Sequence, residues 1–333
     1  MSNINNLINN NIDIKEKKYA LILGETPSEG ARSPDLWKKA YKRINKDTKM
    51  YPADINPKNL SKVLSFLKKS NDYIGGSVTA PFKEKVIKFL DKVDNDSKRI
   101  GSVNTIIKKK NLLIGFNTDY LGCLETLKKI PLKKENNILI IGCGGAGKAC
   151  IIASLNYYKD CNFFVFNRNI KKIKIFIKKI KTKNNRVKII KNYKQLLELK
   201  KIHLVINTSS AGFNSWININ NKYLNLKFFT PFCNLSKIKM TKTKDSIGFQ
   251  RANRQIITNS ISNANNFYEN NKSVSVFDII YNPKKTLLLK LSKINRNKLF
   301  NGLLMNLMQA VQGFMLVNKV KSISKIKIYK AMK

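Results

Sequence analysis

Histidine is almost missing from this chain: His203 is the only one in 333 residues. A proton-handling site built on imidazole has that single candidate. His203 opens the apolar run to Ile206, where the plainer reading is a strand-end residue. Cysteine is scarce too. The five (Cys123, Cys143, Cys150, Cys161 and Cys233) are odd in number and show no paired metal spacing. They argue against a disulfide framework or a zinc site and for buried thiols in a reducing compartment. No apolar run approaches the length of a membrane span. Met1 to Ile14 is Asn-rich, lacks the apolar core of a signal peptide and is expected to be a frayed extension. Together these absences imply a cytoplasmic protein with no membrane partner.

Acidic residues are also few: 20 Asp and Glu stand against 64 Lys and Arg, a net charge of +44. Such a charge ordinarily indicates nucleic acid or an anionic membrane. Here the lysines are spread over nearly every segment, Arg is scarce beside Lys, and Asn and Ile are abundant, the pattern of AT-rich coding. Even the densest run, Lys171 to Lys183, alternates Lys with Ile and Phe as a solvated helix face would. Clustering marks a binding footprint, and it is missing, so no nucleic-acid partner is expected. The charge can still draw in small anions.

What the chain does contain is Ile138-Leu139-Ile140-Ile141 followed by Gly142-Cys143-Gly144-Gly145-Ala146-Gly147-Lys148. A short apolar run, a glycine turn and a helix-like segment from Ala149 to Tyr157 read as a buried parallel strand, a tight turn and a helix N-terminus. Glycines let the backbone approach a phosphate, and the free N–H groups and helix dipole favour its charge. The spacing also fits a P-loop with Lys148 as its phosphate lysine. That loop needs Ser or Thr next for magnesium, and Ala149 stands there, so dinucleotide binding is preferred. A second strand, Asn162 to Phe166, ends at Asn167-Arg168, where an NAD site usually carries an acid for the ribose hydroxyls. An amide and a guanidinium suit the 2′-phosphate of NADP better.

Ahead of this unit the chain alternates strand and helix. Strands are expected at Tyr19 to Leu23, Met50 to Ile55 and Tyr73 to Val78, and a hairpin at Val103 to Lys108 and Leu112 to Gly115. Ser33-Pro34-Asp35 reads as N-cap, N1 proline and first-turn acid for a helix through Tyr41. Pro57 opens a helix with Leu60, Val63, Leu64 and Leu67 on one face. After Thr79-Ala80-Pro81-Phe82-Lys83 a further helix is expected to run on to Leu90, and another begins at Asp119. Lys298 to Val317 has Leu303, Leu304, Leu307, Val311, Phe314 and Met315 at helical spacing.

Ser33-Pro34, Val78 to Lys83, Gly101 to Thr105, Gly115 to Asp119, the glycine loop, Asn167-Arg168, Asn207-Thr208-Ser209, Asp278 to Pro283 and Gly302 to Gln309 follow one another in the order used by shikimate dehydrogenases. Over Tyr19 to Phe314 the chain resembles that family, which reduces 3-dehydroshikimate to shikimate with NADPH on the way to chorismate and aromatic amino acids. The resemblance implies an α/β protein: a βα substrate domain (18–119 and 302–333) and a Rossmann-type NADP domain (120–301, with 213–272 as an insertion). A C-terminal helix would return to the first domain, with the two domains facing across a cleft. A monomer or homodimer is expected.

Hydride transfer to a ketone needs a donor for the developing alkoxide. With histidine and zinc poorly supported, a Lys–Asp pair remains, and the resemblance places it at Lys83 and Asp119. It further implies Ser33 and Tyr281 for the substrate carboxylate, and Thr79, Asn104, Asp119 and Gln309 for its hydroxyls and carbonyl. On the cofactor side it implies Gly142, Gly144, Gly145, Ala146, Gly147, Thr208 and Gly302, with Asn167, Arg168 and Lys172 around the 2′-phosphate. Two departures stand out. The family usually writes Ser-x-Ser-Pro, and this chain has Ala31-Arg32-Ser33-Pro34, so a relative acting on quinate, aminoshikimate or another polyol acid, or a non-catalytic binding protein, is the alternative. Second, Phe213 to Lys272 is longer than the family's usual stretch, which points to a lid, an extra hairpin or a subunit contact.

Overall fold

The computed structural model describes residues 4–180, 186–214, 216–219, 222–234, 247–320 and 325–333. In chain order come β1 (Lys18–Gly24), α1 (Ser33–Arg43), β2 (Thr48–Asp54), α2 (Leu60–Lys69), β3 (Tyr73–Val78), α3 (Phe82–Lys85), β4 (Lys92–Val93), α4 (Asn95–Ile100), β5 (Thr105–Lys109), β6 (Leu112–Phe116) and α5 (Asp119–Leu127). Then follow β7 (Asn137–Ile141), α6 (Gly145–Tyr157), β8 (Asn162–Phe166), α7 (Ile170–Ile180), β9 (Val187–Ile190), α8 (Tyr193–Leu197) and β10 (Ile202–Asn207). The last are β11 (Trp216–Ile219), β12 (Lys222–Asn225), α9 (Ile247–Glu269), β13 (Ser275–Asp278), α10 (Leu287–Ile294), β14 (Lys298–Phe300), α11 (Leu303–Asn318) and α12 (Lys325–Met332). The backbone forms two units: Met1–Glu125 with Lys148–Ala153 and Met305–Lys333, and Thr126–Gly147 with Ser154–Leu304.

The first unit is built on a mixed sheet of order β2-β1-β3-β5-β6-β4. β1 runs parallel to β2 and β3, and β5 and β6 form the antiparallel hairpin that the sequence predicts. On α2, Leu60, Val63, Leu64 and Leu67 are all buried, as their spacing demands. Three expectations are corrected. Ser33 does not cap α1: it is the first helical residue, Arg32 occupies the cap position in αR conformation, and no side chain caps the helix. The Leu36 N–H is already taken by the Arg32 carbonyl, at 3.1 Å. The helix drawn to Leu90 stops at Lys85 and continues as a 3-10 turn, Val86–Phe89. There the Lys83 carbonyl accepts from Val103 N–H at 2.7 Å, a tertiary bond in place of the next helical one. From Ile4 onward the N-terminal segment is not frayed. Ile4, Ile8 and Ile12 are buried in this unit's core, and Asn9 and Asn10 bond the backbone of β2.

The second unit carries a fully parallel sheet of order β14-β13-β10-β7-β8-β9. Renumbered within the unit, that is 3-2-1-4-5-6 from the β9 edge, the doubly wound order whose switch point lies between β7 and β10. Its central strands β7, β10 and β13 are buried on both faces, which is why Ile138 to Ile141 reads as an unbroken apolar run. Lys298–Phe300, expected to be helical, is instead edge strand β14 in register with Ser275–Phe277. The long segment after Phe213 is neither structureless nor all surface. It holds the antiparallel β11–β12 hairpin and α9, whose Ala264, Phe267 and Tyr268 enter the unit's core beside Phe232. Phe232 and Phe267 stack with centroids 4.6 Å apart. Residues 235–246 of this segment lie outside the described residues.

Candidate functional site

Two polar constellations stand out, one in each unit. In the first, the end of β3 turns into α3 and sets Lys83 against the first residue of α5: Lys83 Nζ lies 2.6 Å from Asp119 Oδ2. The pair is mostly buried, with side-chain exposures of 19% and 5%, so solvent screening is limited. Asn104, in the loop before β5, is the hub. Its Nδ2 lies 3.1 Å from Asp119 Oδ1, 3.1 Å from Gln309 Oε1 and 3.0 Å from Thr118 Oγ1, and its Oδ1 accepts from Thr118 N–H at 2.7 Å. An amide has only two N–H donors, so the three acceptors compete. Gln309 in turn donates through Nε2 to the Asn306 carbonyl, 2.9 Å away. Lys83, Asn104, Asp119 and Gln309 are thus brought together.

Thr79 and Ser33 stand apart from that chain of bonds. Thr79 is partly buried, its methyl placed over Gly24 so closely that a Cβ there would come within 2.4 Å. Ser33 is 4% exposed, and its hydroxyl has no hydrogen-bond partner among the described residues. Tyr281 belongs to the second unit, partly buried just beyond β13.

In the second unit the glycine loop crosses the switch point. Gly142 has φ of +112°, and a Cβ there would sit 2.5 Å from Thr208 Oγ1. Gly147 is equally close, 2.7 Å from the same hydroxyl. Thr208, immediately after β10, donates its N–H and hydroxyl to the Ile141 carbonyl at 2.7 and 3.0 Å, which locks the loop to the strand ends. Above Gly144 there is open space, with nothing within 4 Å of a built Cβ, and α6 begins at Gly145 with Ala146 next. The free N–H groups of that first turn are what a pyrophosphate requires. Asn167 accepts from Cys143 N–H at 3.2 Å, tying the end of β8 to the loop. Arg168 is exposed beside Tyr193, whose phenol burial pushes up to about 12 while the arginine charge opposes the rise. Asn169 Oδ1 accepts the Lys172 N–H at 3.0 Å at the start of α7. No carboxylate occupies 167–169, so these residues fit a cofactor carrying a 2′-phosphate. Gly302 has a packing reason of its own: a Cβ would lie 1.8 Å from the Ile279 carbonyl oxygen.

Lys148 is not a phosphate lysine. Its Nζ lies 2.6 Å from Glu84 Oε2, within the first unit, which removes support for the P-loop alternative. His203 is structural as well, its Nδ1 accepting from Asn137 N–H at 3.0 Å between β10 and β7. All five cysteines are free and buried. The hydrogen bond to Cys123, then burial, holds the Cys150 thiol protonated.

One buried acid escapes sequence reasoning. Asp278, fully buried at the end of β13, accepts from Asn207 Nδ2 at 3.0 Å, Ile280 N–H at 3.1 Å and Thr286 Oγ1 at 2.6 Å. Burial raises its carboxyl to about 7 against these three donors, which favour the ion. It joins β10, β13 and the start of α10. In the sequence it stands as the first residue of the run Asp278 to Pro283, a polar residue closing an apolar strand, with no role attached to it.

The model of the shikimate dehydrogenase substrate binding domain matches residues 23–106. The shikimate dehydrogenase (NADP(+)) of Methanococcus aeolicus is 30% identical over 311 residues, covering 92% of this chain and 95% of that relative. The crystal structure of the Aquifex aeolicus shikimate dehydrogenase superposes with a TM-score of 0.67 at 27% identity, over 96% of this chain and 99% of that one. A shikimate dehydrogenase in complex with NADP+ gives 0.67 at 26% identity, over 96% of each. Among the described residues no helix is long and apolar enough to cross a membrane. With its mixed sheet, its doubly wound sheet and similarity over nearly the whole of both chains, this chain belongs to the shikimate dehydrogenase family.

Proposed function

We propose that this protein reduces 3-dehydroshikimate to shikimate with NADPH, in the cytoplasm, as a step towards chorismate and the aromatic amino acids. The observation that carries the reading is the buried Lys83–Asp119–Asn104–Gln309 chain of hydrogen bonds. A cyclic polyol acid offers a ketone and neighbouring hydroxyls, and this array offers an ammonium, a carboxylate and two amides in one place.

Lys83 donates a proton to the oxygen of the substrate ketone as charge builds there, and solvent returns that proton to its amine. Asp119 holds the ammonium in position and accepts a hydrogen bond from a substrate hydroxyl. Asn104 and Gln309 bind the other hydroxyls, with Thr79 at the margin, and Ser33 and Tyr281 take the carboxylate. When bound, NADPH supplies the hydride. The glycine loop from Gly142 to Gly147, with Thr208 behind it, would hold the pyrophosphate; Asn167, Arg168 and Lys172 would hold the 2′-phosphate, and Gly302 would lie along the cofactor's path. The test is NADPH oxidation by the purified protein with 3-dehydroshikimate, with NADH in parallel. Turnover preferring NADPH supports the reading; NADPH binding without turnover on this substrate overturns it. Ala31 favours a second reading, a dehydrogenase for quinate, aminoshikimate or another polyol acid, and a substrate panel separates the two.

A further inference from the structure

One cavity of the second unit lies away from the glycine loop. It has a volume of about 450 Å³ and is enclosed by the stretch after α5, by α10 with the residues just before it, and by edge strand β14. The glycine loop sits at the switch point between β7 and β10, whereas β14 stands two strands beyond β10, about 10 Å away at the usual strand spacing. Leu289, Phe300 and Leu304 give the cavity an apolar wall, and Leu299 beside them is 38% exposed. Around that wall stand Lys129, Lys284, Lys285, Lys290 and Lys293, all exposed. No carboxylate lines the cavity, and among the described residues no ion pair engages any of the five ammoniums. Their placement is unfavourable in itself. Lys290 and Lys293 share one face of α10 three residues apart, where like charges repel. Lys284 and Lys285 precede its N-cap, Thr286, at the end where the helix dipole disfavours cations, and the first turn holds no acid. Asn301 adds an amide to the lining, its Nδ2 lying 3.4 Å from the Lys284 carbonyl. Sequence spreads these lysines from 129 to 293, so the cluster exists only in the fold.

We propose that this cavity binds a small phosphate monoester with an apolar ring, the phosphate among the lysines and the ring against Leu289, Leu299, Phe300 and Leu304. Cavities of this size hold single small molecules. Lysines act as point charges that approach an anion from several directions, and a phosphate monoester gathers close to two negative charges on three oxygens. Its arrival removes the mutual repulsion of the five ammoniums, and the ring covers apolar surface that otherwise faces water. A second copy of this chain is a poor occupant, since it would bring a net charge of +44 to a cluster that is already positive. A nucleic-acid strand calls for cations set along a groove, and these are gathered round one cavity. The inference goes beyond the function proposed above and does not depend on it.

The experiment titrates phenyl phosphate, and inorganic phosphate in parallel, into the full chain by calorimetry at low ionic strength, with NADP+ present in excess to compete for the glycine loop. Phenyl phosphate is expected to bind about threefold or more tighter than inorganic phosphate, because only the ester has a ring for the apolar wall. Lys290→Gln with Lys293→Gln should weaken both probes about 3- to 30-fold. The control is Lys38→Gln with Lys42→Gln, two exposed lysines of α1 in the first unit, which removes the same charge elsewhere and should change either affinity less than about twofold. Leu299→Thr, a β-branched exchange on the exposed side of β14, should weaken phenyl phosphate and leave inorganic phosphate where it was. Equal losses from the two lysine pairs overturn the proposal, since the binding would then follow net charge alone. So do equal affinities for the two probes, which would leave the wall without a part, and so does the absence of binding. Sedimentation of the same samples gives the remaining check: a dimer dispersed by Leu299→Thr would show that β14 is covered by a second copy and would overturn the proposal as well. None of these readings uses turnover, so failure of the protein to reduce 3-dehydroshikimate would leave this test standing.

Discussion

On the function proposed above, the two units solve recognition by different means. In the first, a mixed sheet brings loop and helix ends together, and side chains make the site: an amide at 104, a carboxylate at 119, an ammonium at 83 and an amide at 309. In the second, a fully parallel sheet aims its strand ends at one line, and backbone makes the site: glycines at 142, 144, 145 and 147 and a helix N-terminus. Side-chain sites can be tuned to one substrate by a single substitution. Backbone sites tolerate sequence change but depend on the absence of a Cβ. On the function proposed above, the contrast puts specificity in the first unit and a generic anion cradle in the second, with Asn167, Arg168 and Lys172 to choose between cofactors.

The largest test of that division is Lys83→Ala. Turnover should fall about 10²- to 10⁴-fold, the usual worth of a positioned proton donor, while NADPH affinity stays near wild type. Loss of NADPH binding in stopped-flow or fluorescence titration would break the division at its centre.

Next in size is a stability effect confined to the second unit. Asp278 is held near 7 in the folded protein by burial, above its ordinary value of 3.8. Between those two values the unfolded chain releases the proton while the folded one keeps it, so this group's contribution to stability is complete below about pH 4 and is lost as pH rises to about 7. The slope is up to about 1.4 kcal/mol per pH unit. Denaturant melts of Asp278→Asn over that window should be flatter than wild type. An identical pH profile in the two proteins would show the carboxyl to be ionised in the fold.

Smaller again is cofactor choice. Arg168→Ala should weaken NADPH by about 1.5–3 kcal/mol, the range for hydrogen bonds to charged groups, and leave NADH unchanged. Parallel loss with both cofactors would place the effect on the loop rather than on the 2′-phosphate. Least of all, iodoacetamide at pH 8 should leave Cys123 and Cys150 unlabelled in the native protein, since both are fully buried and Cys150 is held as a thiol. Mass spectrometry after brief exposure reads this directly; rapid native labelling would mean that the first unit opens readily around these two residues.

Much of the second unit was legible from the chain. Strand β8 falls on Asn162–Phe166 as read, because a buried parallel strand writes itself as a continuous apolar run between turns. In the first unit, β3 at Tyr73–Val78 and the buried face of α2 were legible for the same local reason. The errors share a cause. The helical spacing from Leu303 onwards predicts a helix over Lys298–Phe300 as well, but pairing with β13 makes it a strand. The Asn-rich start looked solvent-bound, yet three isoleucines at four-residue spacing find the core of the first unit and asparagines bridge to β2. Ser33 has the composition of a cap, but the Arg32 carbonyl had already engaged the Leu36 N–H.

By itself, then, the sequence determined what depends on near neighbours: the alternation of strand and helix, the glycine turn at Gly142 and the basic choice at Arg168. Periodicity and turn chemistry act over a few residues and survive in any context. Only the tertiary structure decided the joining of Asn104 to Gln309, 205 residues apart, the engagement of Lys148 by Glu84, and the burial that raises Asp278. Each of these depends on which surfaces are excluded from water together, and that is a property of the packed chain rather than of any segment in it.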